Sequence, residues 1–403
     1  LSFKLFFIIV QIILILGCSD GNPVKPTEVF LVSLSDGDWV EGATSISVTA
    51  TEGNYTHIEL KVDGQTIQTK FKDDTQNTAT YTFSWQPANT NQWRPTNYVV
   101  EAEAFGSAGS SWKSTPMAVT ALFPRQLTDN PGVDIQPEWS KDGTKIIFKS
   151  NRLSPDPVQS FKIYTMNADG TQQEQIFTDK NYHGYPDWSP DETHVIFNSF
   201  DPGNNELFTA SIATRQSSQI TTDSGFDDSG RWSPDGTKIA FFSTRTGGSE
   251  LYLLPVDNNG IRTGFPTRIT SNSNRDEQPR WSPDGQKLVY ESDRSGSINI
   301  WTIDLATKME TQITFGTSVD DGYPNWSPDE TFLVFDSERS ENRDLYLCPS
   351  SGGEERRVTF NPSYDDHGSW SPDLTKIVFG SNRGGSMDIW VVEIPSIIIL
   401  NVS

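Results

Sequence analysis

The stretch Asp276-Glu277-Gln278-Pro279-Arg280-Trp281-Ser282-Pro283-Asp284-Gly285-Gln286-Lys287-Leu288-Val289-Tyr290 places a tight turn between two candidate strands. Ser-Pro-Asp-Gly suits a type I turn, because Pro sets φ at the second position and Gly follows the bend. The Trp-Ser-x-Asp centre recurs at Trp139, Trp188, Trp232, Trp281, Trp326 and Trp370, at intervals of 49, 44, 49, 45 and 44 residues. An apolar run follows each copy, such as Lys238-Ile239-Ala240-Phe241 or Lys376-Ile377-Val378-Phe379. A second run comes later (Glu250-Leu251-Tyr252-Leu253), then a third (Gln312-Ile313-Thr314). With the Trp strand, this gives four strands per unit of about 45 residues, the pattern of propeller blades. Glu192, Glu330 and Leu374 stand where the full turn has Gly, at an expected cost of about 1 kcal/mol or less. The six Trp are read as packing between neighbouring blades.

The sixth unit has no outer strand of the Gln-Ile-Thr type. One stands before the first Trp, as Arg125-Gln126-Leu127-Thr128. This upstream segment is expected to complete the last blade and close the ring, with the tail Ile397 to Val402 as a rival. Closure removes a seam of unpaired backbone groups.

The 403 residues carry 53 Asp and Glu against 31 Lys and Arg, a formal charge of −22. That sum repels a phosphate backbone and argues against nucleic acid as a partner. The 30 Gly and 24 Pro imply many turns, and 11% aromatics are enough for a core. Two Cys exclude a disulfide framework, and four His limit any histidine-based metal site. The expected class is all-β: an Ig-like β-sandwich followed by a six-bladed β-propeller.

Upstream, Leu5 to Leu16 is an apolar run too short to span a bilayer, where about 20 residues are needed. It fits the core of a secretory signal. It ends at Gly17-Cys18, which resembles a bacterial lipobox. That resemblance implies a signal peptide over 1–17, a lipid on Cys18, a tether over 18–27 and anchorage of the body at a membrane. Residues 28–123 hold alternating runs, among them Ser45 to Ala50, His57 to Val62, Thr80 to Trp85 and Tyr98 to Ala104. Period-two alternation marks half-buried strands. These runs, with Leu60-Lys61-Val62-Asp63-Gly64, resemble bacterial Ig-like modules and are read as a spacer or a ligand-binding unit. The propeller is assigned to 124–395 and a C-terminal tail to 396–403.

The repeated Asp-x-x-Pro-x-Trp-Ser-Pro-Asp-Gly pattern resembles the TolB-type, WD40-like PD40 propeller family over about 270 residues. Members of that family are periplasmic and contact a peptidoglycan-associated lipoprotein through the propeller. The resemblance implies a non-catalytic scaffold at the bacterial cell envelope with a protein or peptide partner. This chain has the sandwich where that family has an α/β domain.

Strict alternation would put the residues five, three and one before each Trp on one face, lining the channel. The first column reads Asp134, His183, Asp227, Asp276, Asp321 and Asp365; the second includes Tyr185, Tyr323 and His367. This predicts an acidic mouth for a basic peptide or a cation, or Asp residues that cap their own loops. Joint replacement of Asp276 and Asp321 by Asn is expected to weaken a basic partner and leave folding intact. Arg152, Arg245, Arg294, Arg339 and Arg383 end Ser-x-Arg triplets and are expected to pair with the residues that open the next strand, Glu206, Glu250, Asn299, Asp344 and Asp388, with a basic docking patch as the alternative. No Gly-x-Ser-x-Gly elbow occurs, and only His183 and His367 share a face. The expectation is therefore no enzyme, cofactor or metal, with a glycan-binding or saccharide-degrading protein as the competing reading.

Overall fold

The computed structural model describes residues 29–31, 38–41, 44–50, 55–72, 79–87, 95–106, 110–153, 161–177, 184–200, 203–340 and 342–395. The expected signal peptide, Cys18, the tether, His183 and the tail lie outside the described residues. The chain divides into two compact units at Phe123/Pro124.

In the first unit, Val29–Leu31, Thr44–Ala50 and Ala79–Trp85 form one sheet. A second sheet runs Asp38–Glu41, Met117–Leu122, Thr96–Gly106, Tyr55–Val62 and Gln65–Phe71, with Ser111–Lys113 also paired to Thr96–Gly106. Alternation places Ile46, Val48 and Phe83 of the first sheet against Ile58, Leu60, Val100 and Ala102 of the second, all fully buried in one core. The unit is thus a two-sheet sandwich. One pairing, Asp38–Glu41 with Met117–Leu122, is parallel.

Among its described residues, the second unit forms six four-stranded antiparallel sheets. The six Trp-bearing strands are Asp134–Trp139, Gly184–Trp188, Asp227–Trp232, Asp276–Trp281, Asp321–Trp326 and Asp365–Trp370. Each packs against the next, and the first packs against the sixth, so the ring closes. The second strands carry aliphatic or aromatic side chains at their second to fourth residues, from Ile146-Ile147-Phe148 to Ile377-Val378-Phe379, and these are fully buried. Burying both faces of these strands between neighbouring blades is the main stabilising term. Trp188, Trp281 and Trp326 donate Nε1–H to the carbonyls of Glu138, Arg231 and Arg280, each on the preceding blade.

The closing strand is upstream. Arg125–Gln126 pairs with Asp388–Glu393, setting Arg125 opposite Val391 and Gln126 opposite Trp390. The Leu127 N–H bonds the Ile389 carbonyl at 2.7 Å. Thr128 Oγ1 accepts from Ile389 N at 2.9 Å. Thr221, Thr270, Thr314 and Thr359 accept from Leu207, Leu251, Ile300 and Leu345 in the same way. The borrowed strand therefore repeats the bonding of a native outer strand.

At the turns, Glu192, Glu330 and Leu374 take φ of 58°, 63° and 63°, in line with 71° to 73° at Gly143, Gly236 and Gly285. The position demands left-handed backbone whichever residue holds it. Two of the replacements gain a compensating contact: Glu192 and Glu330 accept from the backbone N–H of Asp142 and Asp284 on the preceding blade.

Candidate functional site: the axis-facing ends of the inner strands

Every inner strand breaks its pairing at one place. In blade one, Ile135 lies opposite Lys149 and Glu138 opposite Ile147, so one residue is extra. The other five blades share this bulge. The residue three before Trp carries the strain, at Gln136, Tyr185, Ser229, Gln278, Tyr323 and His367, with φ between 46° and 58°. A bulge shifts the side-chain phase of everything before it. Strict alternation therefore fails, and the residues five before Trp leave the axis face.

Those residues, Asp134, Asp227, Asp276, Asp321 and Asp365, are fully buried within their own blades. Each bonds the Arg of the Ser-x-Arg triplet: Arg152, Arg245, Arg294, Arg339 and Arg383, at 2.6 to 2.7 Å. The same Arg bonds the triplet Ser through Nε. It also stacks on a ring of the third strand, as Arg294 does on Trp301, 4.7 Å from its centroid. Two expectations are corrected here. The carboxylates do not converge as free charges at a mouth, and the Arg residues do not take the openers of the next strand as partners. Glu250 bonds Arg268 of the fourth strand and Thr270 just beyond it instead, and Asp344 bonds Arg357. Asn at Asp276 and Asp321 would leave the half-buried guanidiniums of Arg294 and Arg339 without these carboxylates, so that double replacement would cost stability.

The bulge residues do meet across the ring. The rings of Tyr323 and His367 meet at a tilt with centroids 3.8 Å apart, Tyr185 lies 6.2 Å from His367, and Gln136 Nε2 approaches His367 Nε2 at 3.5 Å. The side chains of Tyr185 and Tyr323 are hydrogen-bonded, and Ser229 Oγ donates to Gln278 at 2.9 Å. One level along, just before Trp, Arg280 bonds Glu138, and Arg231 lies 4.0 Å from the same carboxylate. Burial pushes Arg231 down to about 10, with Arg280 beside it adding to the effect.

On the other side of the tyrosines lies a layer that alternation did not point to. It comprises Asp228 and Asp366, four before Trp, and Lys149, Asn198, Glu291 and Asp336, fifth in their second strands. Asn198 Nδ2 donates to Asp228 across blades at 3.2 Å. Asp336 Oδ2 accepts from His367 N at 3.4 Å, and Glu291 Oε2 from Tyr323 N at 3.1 Å. Burial, as the largest cause, raises Asp228 to about 6, Glu291 to about 7 and Asp336 well above its usual value, and lowers Lys149 to about 8. A usable signal was present in the sequence: Lys, Asn, Glu and Asp stand inside otherwise apolar strands, directly before a Ser that recurs in all six blades.

Above this layer the rim exposes Phe200 and Phe226, 6.1 Å apart, and Tyr364, whose ring Arg343 covers at 5.2 Å. Among the described residues, no group of three or more His, Cys, Asp or Glu is placed to hold a metal ion. Cys348 is buried, and burial pushes its thiol up to about 12.

The raised carboxylates fix a pH response. Glu291 holds its proton in the folded state from about pH 4.5, its unfolded value, to about 7. Its stabilising contribution, about 3 kcal/mol, is complete below that window and is lost as pH rises through it. Asp228 acts in the same sense up to about 6. Lys149 acts oppositely, but only above about pH 8. Thermal melts should therefore show Tm falling from about pH 5 to about pH 8, and falling less in Glu291→Gln. A Tm that climbs across this range in the parent chain would contradict the assignment.

These features define a closed six-bladed ring whose axis is filled by tyrosines, histidine and buried charge. The family profile of the TolB β-propeller domain matches residues 153–320. Among solved structures, TolB from Acinetobacter baumannii is 18% identical, with 86% of this chain and 83% of that chain covered and a TM-score of 0.55. A putative TolB from Agrobacterium tumefaciens is 20% identical, with 67% and 94% covered and a TM-score of 0.54. An oligogalacturonate lyase from Vibrio parahaemolyticus is 13% identical, with 68% and 94% covered and a TM-score of 0.47, too distant to carry an argument. At these identities the likeness is one of fold. No curated protein matches the chain.

Proposed function

We propose that the chain is a bacterial cell-envelope lipoprotein, held by a lipid on Cys18 at the periplasmic face or the cell surface, whose propeller binds an envelope protein or peptide without catalysis. An Ig-like sandwich would serve as its spacer. The observation that carries the reading is the preformed surface at one end of the ring. Phe200, Phe226 and Tyr364 are exposed at the ends of the strands that carry Asn198, Asp228 and Asp366 of the buried polar layer, and aromatic side chains beside desolvated polar groups are the usual anchors of protein interfaces. The TolB-type profile over 153–320 is in keeping with such a scaffold. Cross-linking in the native cell, followed by identification of the captured molecule, tests this reading. An envelope protein is the expected product, and Cys18→Ser should release the chain from the membrane fraction.

A second reading has one observation in its favour. Glu291 and Asp228 have raised values suited to proton transfer near neutral pH, and an axial carboxylate of that kind fits a glycan-binding or saccharide-degrading protein. Turnover of an oligosaccharide by the purified chain would overturn the non-catalytic reading.

A further inference from the structure

In three blades, the residue facing the buried polar layer across the strand pair is glycine. Gly184 lies opposite Asn198, Gly322 opposite Asp336 and Gly380 opposite Asp366. A Cβ at Gly184 would stand 2.5 Å from Asn198 Oδ1, and one at Gly380 would stand 2.7 Å from Asp366 Oδ1. One at Gly322 would meet two carboxylates from different blades, Glu291 Oε2 at 2.9 Å and Asp336 Oδ1 at 3.3 Å. The glycines thus leave room for acceptor oxygens to converge. Three of these oxygens, Asn198 Oδ1, Asp336 Oδ1 and Asp366 Oδ1, are buried and accept no hydrogen bond. Buried acceptors without donors are costly, and such groups call for a partner.

Charge points the same way. Asp228, Glu291, Asp336 and Asp366 face two cations within the layer, Lys149 and Arg343. Lys149 acts on Asp228 and Asp366, and Arg343 Nη1 stands 3.6 Å from Asp336. Four acids against two bases leave an excess of two negative charges when all six are ionised, and of one when His367 is protonated as well. His367 Nδ1 stands 3.1 Å from Asp366 Oδ1 without forming a hydrogen bond, so it does not supply the missing donor. The rings of Tyr323 and His367 wall the layer on the side toward the Trp turns.

We propose that the layer bounded by Glu291, Asp336 and Asp366 binds an organic cation, the primary ammonium or guanidinium group of a lysine or arginine side chain on a peptide partner. Such a head is donors only, and it carries the charge the layer lacks. Its alkyl stem would run past the exposed aromatic rim, where apolar contact and cation–π attraction both favour it. The proposal rests on the proposed function only for the source of the cation. Binding should tighten as pH rises through about 7, where Glu291 ionises. The charged and titratable groups around Glu291 are Glu277, Arg275, Arg343, Asp336 and Tyr323.

The test is calorimetric titration of the full chain at about pH 8 with acetyl-Ala-Lys-Ala-amide, its norleucine counterpart and putrescine. The lysine peptide should bind and the norleucine peptide should not. Asp336→Asn and Glu291→Gln should each weaken binding about ten-fold or more. Glu291→Gln removes a buried charge, so its melting temperature should hold or rise, which separates lost binding from lost folding; Asp336→Asn also takes a carboxylate 3.6 Å away from Arg343, so its binding is read where its circular dichroism matches the parent chain's. If putrescine binds and the lysine peptide does not, the cation site stands and its peptide source is overturned. If neither binds, the site itself is overturned, with water or protons serving the orphaned oxygens. Capture of an envelope protein by cross-linking would still support the broader function in that case.

Discussion

Replacing Arg294 by Met should destabilise the propeller by about 3–5 kcal/mol, far more than the 0–1 kcal/mol of an exposed ion pair. The difference lies in burial. Asp276 has no exposed surface, while Arg294 gives its carboxylate a 2.7 Å bond, bonds Ser292 Oγ at 2.9 Å and reaches the Tyr290 hydroxyl at 3.2 Å. Met fills much of the same space and leaves Asp276 with the Asn272 amide, at 2.6 Å, as its remaining side-chain donor. Most of the loss comes from the abandoned charge, so Asp276→Asn combined with Arg294→Met should recover more than half of it. Urea unfolding of the two singles and the double would measure the coupling. A loss below about 1 kcal/mol in the single would mean that the ten residues of the five pairs are decoration on the blades.

Leu127→Pro should be comparably severe, at about 4 kcal/mol and a fall in Tm of about 10 °C. The substitution removes the N–H that bonds Ile389 at 2.7 Å and a buried side chain from the cluster that holds Phe148, Val378 and Ile389. Hydrogen exchange should then accelerate in Asp388–Glu393 before it does in other blades. Uniform exchange across all six blades would show that the upstream strand is dispensable for the closure described here.

The blades were legible because their signals are local and repeated. A Trp, a Ser-Pro-Asp turn and two apolar runs each speak for a few residues, and six copies reinforce one another. Closure was legible as well, since blade six lacks a strand that Arg125 to Thr128 supplies. The inner face was not. Alternation holds only for an unbroken period of two, and one extra residue in each inner strand reverses the facing of everything before it. Asp276 and its equivalents therefore turned from the axis toward their own Arg, while Asp228 and Asp366, four before Trp, turned inward. The bulge leaves no mark in composition. Its φ-positive position is held by Gln, Tyr, Ser and His, and by none of the glycines that would have signalled left-handed backbone. Tyr185, Tyr323 and His367 were placed on the axis face although the rule behind the placement fails two residues earlier.

The borrowed strand also sets an order of events in folding. Thr128 and Asp388, hydrogen-bonded at 3.2 Å, are separated by 260 residues, so the ring's first strand waits for its last. Five sheets can form from their own consecutive strands, but the circle stays unsealed until Arg125–Gln126 meets Asp388–Glu393. Such distant pairing slows folding and leaves the unclosed ring with a bare edge. Sealing of the circle, more than any single blade, is then the step at which this protein depends on being shielded from its neighbours.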